Sequence, residues 1–214
     1  MKKSVYSLVL MDAVVEKVDR LAYAMHTNRS NMINQILAEY CSMVTPEQRM
    51  KSTLEQLQDL LGEIGFQPML QPTASMLTVR SALNFKYNPS VRYRVELFRK
   101  LEPEFGQLQV QLRTQNQELI HYVHEFELVW ANLEQHYLGE PRSSVENGRF
   151  FRNLRYQPAF ENQAELLGEA IGNYVRYFDR ALKHYFACLD QPQRAERQVE
   201  QMMQQYIEAG KPVV

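Results

Sequence analysis

Few residues in this sequence are spaced for bond-making chemistry. His121-x-x-His124-Glu125 puts two imidazoles about one helical turn apart, which is how a metal site can begin. The spacing matches neither HExxH nor HxxEH, and neither cysteine (Cys41, Cys188) lies nearby in sequence. No glycine-rich phosphate loop and no nucleophile elbow occurs. Phe150, Phe151, Tyr156, Phe160, Tyr174, Tyr177, Phe178, Tyr185 and Phe186 could line a ligand pocket, although aromatics at helical spacing more often form core. The expectation is a chain with no catalytic residue, no metal and no cofactor, and not an enzyme. The two cysteines read as buried thiols in a reducing compartment rather than as a disulfide framework.

What remains is the chemistry of charge. The formal net charge of −1 favours no polyanion by itself, but its distribution is uneven. Residues 1–30 carry Lys2, Lys3, Lys17, Arg20 and Arg29 against Asp12, Glu16 and Asp19. Residues 76–100 carry Arg80, Lys86, Arg92, Arg94, Arg99 and Lys100 against Glu96 alone, and residues 101–214 hold an acidic excess. Met1-Lys2-Lys3 ahead of Val5–Leu10 looks like the start of a leader, but Asp12, Glu16, Lys17, Asp19 and Arg20 interrupt the apolar run. No apolar stretch approaches the ~18–20 residues of a membrane span. A cytoplasmic protein with no membrane partner is expected.

These residues must be positioned by elements that the pattern of polarity reveals. Tyr6, Leu8 and Leu10 alternate with Val5, Ser7 and Val9, as in a strand. The period then changes to helical, with Val14, Val18, Leu21 and Met25 following Asp12 as an N-cap. His26-Thr27-Asn28 breaks the pattern, and a second helix from about Arg29 to Cys41 carries Met32, Ile33, Ile36, Leu37 and Tyr40. Thr45-Pro46 opens a connecting helix over 45–65, ending at Gly62 or Gly65, and Pro68 and Pro72 mark 66–75 as a linker and domain boundary.

From residue 76 the alternation returns. Val79, Ser81, Leu83, Phe85 and Tyr87 form one strand, Val91, Tyr93, Val95 and Leu97 a second, and Leu108, Val110 and Leu112 a third. Helices follow over about 116–137, 162–189 and 193–209, with 139–148 as a loop. The fold class expected is α+β. A strand and two helices (1–44) precede a 76–214 domain with a three-stranded antiparallel sheet and three to four helices.

The N-terminal strand cannot bury itself, and a segment of about 45 residues makes a very small core. Pairing with the same strand of a second chain would give a two-stranded ribbon over four helices. Ser4-Val5-Tyr6-Ser7-Leu8-Val9-Leu10, then Val14-Val15-x-x-Val18-x-x-Leu21-Ala22, then Asn28-Arg29-Ser30-Asn31-Met32-Ile33 resemble the ribbon-helix-helix DNA-binding family, the group of MetJ, Arc and CopG. The resemblance covers about a fifth of the chain and leaves the C-terminal domain unassigned.

The resemblance implies a homodimeric transcriptional regulator, a repressor, that binds double-stranded DNA and assembles further on it. Its dimer core would be Tyr6, Leu8, Leu10, Val14, Val18, Leu21, Ile33, Ile36 and Leu37. The ribbon would point Lys3, Val5, Ser7 and Val9 at base edges in the major groove. Lys2, together with Arg29 and Ser30 at the start of the second helix, would bind phosphate. Two positions depart from the family. His26 stands where relatives have a left-handed glycine, and the valines offer a base edge no hydrogen bond. The alternative is an interaction protein, antitoxin-like or a scaffold. In it the module only dimerises, and the C-terminal domain binds a protein partner; in the regulator that domain would instead sense a small molecule or extend the dimer. Arg80, Lys86, Arg92 and Arg94 form a second candidate basic face, open to phosphate or RNA, or simply solvated.

Overall fold

Helix starts are set by local chemistry already written in the chain. The computed structural model describes residues 5–41, 43–69, 73–86, 88–139, 142–160, 163–210 and 212–214. Helix α1 (Asp12–Ala24) takes Met11 as its N-cap without a side-chain bond. Asp12, expected as the cap, is instead the first helical residue, where its carboxylate sits at the positive end of the helix dipole. The chain leaves α1 through His26 at φ 48°, the left-handed position expected of it. Helix α2 (Arg29–Tyr40) is capped by Asn28, whose side chain accepts from the Asn31 N–H at 2.9 Å.

The chain divides into two units, Met1–Arg49 and Met50–Val214. The first is a pair of helices with a core of Val18, Ala22 and Met32, against which Ile33 packs. Here the ribbon-helix-helix expectation is corrected. Residues 5–11 form no strand, and every strand described lies beyond residue 66. A strand exists only through a ladder of backbone hydrogen bonds, and 5–11 has no ladder partner among the described residues.

The division falls inside α3 (Pro46–Glu63) rather than in the expected 66–75 linker. Thr45 and Gln48 form a reciprocal capping box: the Gln48 N–H donates to Thr45 Oγ1 at 3.2 Å and the Thr45 N–H to Gln48 Oε1 at 3.0 Å. Met50, Leu54, Leu57 and Leu61 of α3 belong to the core of the second unit. Within the expected linker, β1 (Gln67–Pro68) pairs with β2 (Met76–Ala82).

The three-stranded sheet is likewise corrected to six antiparallel strands, in the order β1-β2-β3-β4-β6-β5. The expected meander is its centre: β2, β3 (Ser90–Leu97) and β4 (Glu104–Leu112). The expected loop at 139–148 contains β5 (Ser143–Glu146), which turns through Asn147-Gly148 into β6 (Arg149–Arg155). One sheet face, with Leu77, Val79, Val91, Tyr93, Val95, Leu108, Val110 and Phe150, joins the core. The helices α3, α4 (Gln117–Leu138), α5 (Ala164–Ala187) and α6 (Pro192–Glu208) contribute most of the rest. Phe178 of α5 is the hub, its ring centroid 4.9 Å from Phe150, 5.3 Å from Phe126 and 5.4 Å from Trp130. Most of the aromatic series is therefore core. No described helix is long and apolar enough to cross a membrane.

Candidate nucleic-acid interface

The first unit leaves its apolar residues outside. Tyr6, Leu8, Leu10, Val14, Leu21, Ile36 and Leu37 are exposed, Tyr6 at 82% and Leu37 at 52%. Of the nine residues expected in a dimer core, only Val18 is buried within one chain, with Ile33 partly so. Val5, Ser7 and Val9 are exposed as well. Lys2 and Lys3 lie outside the described residues.

Arg29 and Ser30 stand in the first turn of α2, where backbone N–H groups and the helix dipole favour an anion. Arg29 already has one. Its Nε donates to Asp19 Oδ1 at 2.7 Å and its Nη2 to Asp19 Oδ2 at 2.6 Å, a bidentate pair joining α1 to α2. These hydrogen bonds hold the Asp19 carboxyl below its ordinary range and raise the Arg29 guanidinium above its own. Both side chains are about half exposed, so a phosphate can compete for the guanidinium.

The second candidate face is borne by the sheet. Pleating puts Arg80, Arg92 and Arg94 on the sheet face opposite the core, in register with Gln67, Gln109 and Gln111. Lys86 does not join them; β2 ends at Ala82, and Lys86 is exposed in the turn that follows. The turn's Phe85 instead packs edge-on against Phe186 at 5.5 Å.

The buried polar groups went unseen in the sequence. Tyr93 donates to Asp179 Oδ1 at 2.9 Å, while the Lys183 ammonium donates to Asp179 Oδ2 and to Ser81 Oγ, both at 2.6 Å, tying β2 and β3 to α5. Burial raises the Tyr93 phenol well above its ordinary value, with Asp179 adding to the effect. Arg152 is fully buried, paired with Glu134 and donating to the Val214 carbonyl, with its guanidinium 4.0 Å from the centre of the Tyr174 ring. Glu127 is buried with Oε1 unpartnered, and burial pushes its carboxyl up to about 8. His121 and His124 are exposed on α4, and no cluster among the described residues could hold a metal ion. Cys41 is exposed and Cys188 half-buried, which corrects the expectation of two buried thiols. No family model, curated protein or solved structure matches this chain.

Proposed function

We propose that the chain is a DNA-binding transcriptional regulator, acting as a repressor and as a homodimer in the cytoplasm, with double-stranded DNA as its partner. The observation that carries this reading is the imbalance of the N-terminal unit. Two short helices bury three apolar side chains and leave Tyr6, Leu8, Leu10, Leu21, Ile36 and Leu37 in water. A second copy is the natural occupant, because the same apolar set on each chain supplies a self-complementary surface. Pairing places two α2 N-termini on one molecule, and Arg29 and Ser30 of each would meet a phosphate. Affinity would come chiefly from the backbone of DNA and fall steeply with salt.

The test joins two measurements on the full chain. Sedimentation should give a dimer at micromolar concentration. A gel-shift series against genomic fragments at rising salt should show binding that weakens with salt and drops with Arg29→Ala. A monomer, or no binding at low salt, sinks the proposal.

The Asp19–Arg29 pair favours a second reading, in which the unit only dimerises and the 50–214 unit binds a protein partner. The dimer then persists but shifts no DNA.

A further inference from the structure

The outer face of the sheet has an arrangement that stability alone does not favour. Arg80 of β2 and Arg92 of β3 are directly opposite one another across the strands. Like charges in that position repel. Arg113, just past the end of β4, lies close enough to Arg92 for the two charges to repel, and burial and that repulsion together lower the Arg92 guanidinium below its ordinary value. Arg92 Nε is buried without a hydrogen-bond partner. Glu96 answers Arg94 at 3.2 Å, but Arg80 is met only by the neutral Gln67, at 2.9 and 3.1 Å. Among the described residues no carboxylate pairs with Arg80, Arg92 or Arg113. A face kept for solubility would intersperse acids among these arginines.

The same face continues into a place for a ring. The cross-strand row Thr78–Arg94–Gln109–Phe151–Ser144 sets Phe151 of β6 on the same face, two strands from Arg94 with Gln109 of β4 between them. Around Phe151 opens a groove of about 430 Å³, lined by Gln107, Arg142, Ser144, Glu146 and Asn153 among others. The Gln107 amide donates to Asn153 Oδ1 at 3.1 Å, and Asn153 Nδ2 to Glu104 Oε1 at 3.0 Å, so both amides are held in fixed orientation. Fixed amides beside an aromatic ring can read the edge of a stacked base.

We infer that this face binds single-stranded nucleic acid, with the phosphates over Arg80, Arg92 and Arg113 and one base in the Phe151 groove. Charge alone would accept any polyanion. The ring and the oriented amides select a chain that carries planar bases. A duplex hides those bases in its stack, so the face and the N-terminal unit take different forms of nucleic acid. This surface is independent of the proposed operator binding, since its residues all lie in the 50–214 unit.

The test uses the full chain and fluorescence anisotropy with short labelled single-stranded DNA, single-stranded RNA and duplex DNA at several salt concentrations. Arg92→Glu with Arg113→Glu should weaken single-strand binding about tenfold or more. The slope of log affinity against log salt should fall by about 1.4, at roughly 0.7 for each phosphate no longer neutralised. Phe151→Ala should weaken it about fivefold or more without changing that slope. Duplex binding should survive all three substitutions and drop in Arg29→Ala, whereas Arg29→Ala should leave single-strand binding intact. Thermal unfolding of each variant shows that it folds. Absence of single-strand binding at low salt, or binding unmoved by the arginine reversals in folded protein, overturns the inference. So does polyglutamate binding as tightly as the oligonucleotides, since the face would then read charge only.

Discussion

In the 50–214 unit the inner sheet face and the helices close on one another, and residues as far apart as Met50 and Val214 share one core. In the 1–49 unit a similar density of apolar residues produces a core of three, Val18, Ala22 and Met32, while Leu and Tyr side chains remain exposed. Hydrophobic patterning marks residues that will be buried, but not by which chain. Burying a Leu or Ile side chain contributes about 1.5–3 kcal/mol. Tyr6, Leu8, Leu10, Leu21, Ile36 and Leu37 therefore represent on the order of 10 kcal/mol still available to association, before its entropic cost. The first unit is unfinished alone and the second is not.

The sharpest test of that contrast removes the hub of the finished unit. Phe178→Ala should cost about 3–5 kcal/mol, read as a lower urea midpoint that does not depend on protein concentration. A cost under about 1 kcal/mol would mean that the core is not organised around this ring. Next in size is Glu127→Gln. Its folded value of about 8, against 4.5 when free, means that the native state binds more protons than the unfolded chain across that interval. Stability is therefore fully present below pH 4.5 and declines as pH rises towards 8. The glutamine variant removes the decline, and its advantage over the parent should grow by about 3 kcal/mol between about pH 5 and pH 8. A parallel pH profile for the two proteins would place that carboxylate in water.

Much of the second unit was legible because its strands alternate without interruption. β2, β3 and β4 read directly from Val79, Tyr93, Val95, Leu108 and Val110. β6 did not, because Arg152 occupies a core-facing position between Phe150 and Leu154 and breaks the alternation. Its partner Glu134 is remote in sequence and comes into contact only through the fold. The usable signal was Asn147-Gly148, both at positive φ (51° and 69°), the pair most favoured in a two-residue hairpin turn. In the first unit both helices and the His26 turn were legible, since caps and helical periodicity are local. The strand expected over Val5–Leu10 was a misreading of alternation: residues 5–11 form none, and period-two polarity supplies no ladder partner by itself. Arg29 illustrates a related limit: the resemblance makes it a candidate phosphate ligand, but does not reveal that Asp19, ten residues earlier, already holds it.

Leu37→Asp separates the two units directly. It puts a charge into the exposed set on α2, and self-association should weaken about a hundredfold by sedimentation. The urea midpoint of the 50–214 unit, followed through Trp130, should not move. Weakened association accompanied by a shifted Trp130 midpoint would make the two units a single cooperative system.

The smallest effect is the most discriminating for DNA. Asp19→Asn keeps the size of the side chain but removes the charge that holds Arg29 through two hydrogen bonds of 2.6 and 2.7 Å. Because both partners are solvent-exposed, the helix pair should lose little stability. The freed guanidinium stands at the N-terminus of α2, and a negative charge has left the surface proposed to meet phosphate. Duplex affinity should therefore rise a few-fold. The salt dependence should steepen by about 0.9 for each further phosphate that the protein neutralises, since each neutralised phosphate releases counterions from the duplex. Weaker binding in the variant would give the opposite lesson: Asp19 would be aiming Arg29 at the phosphate rather than competing with it.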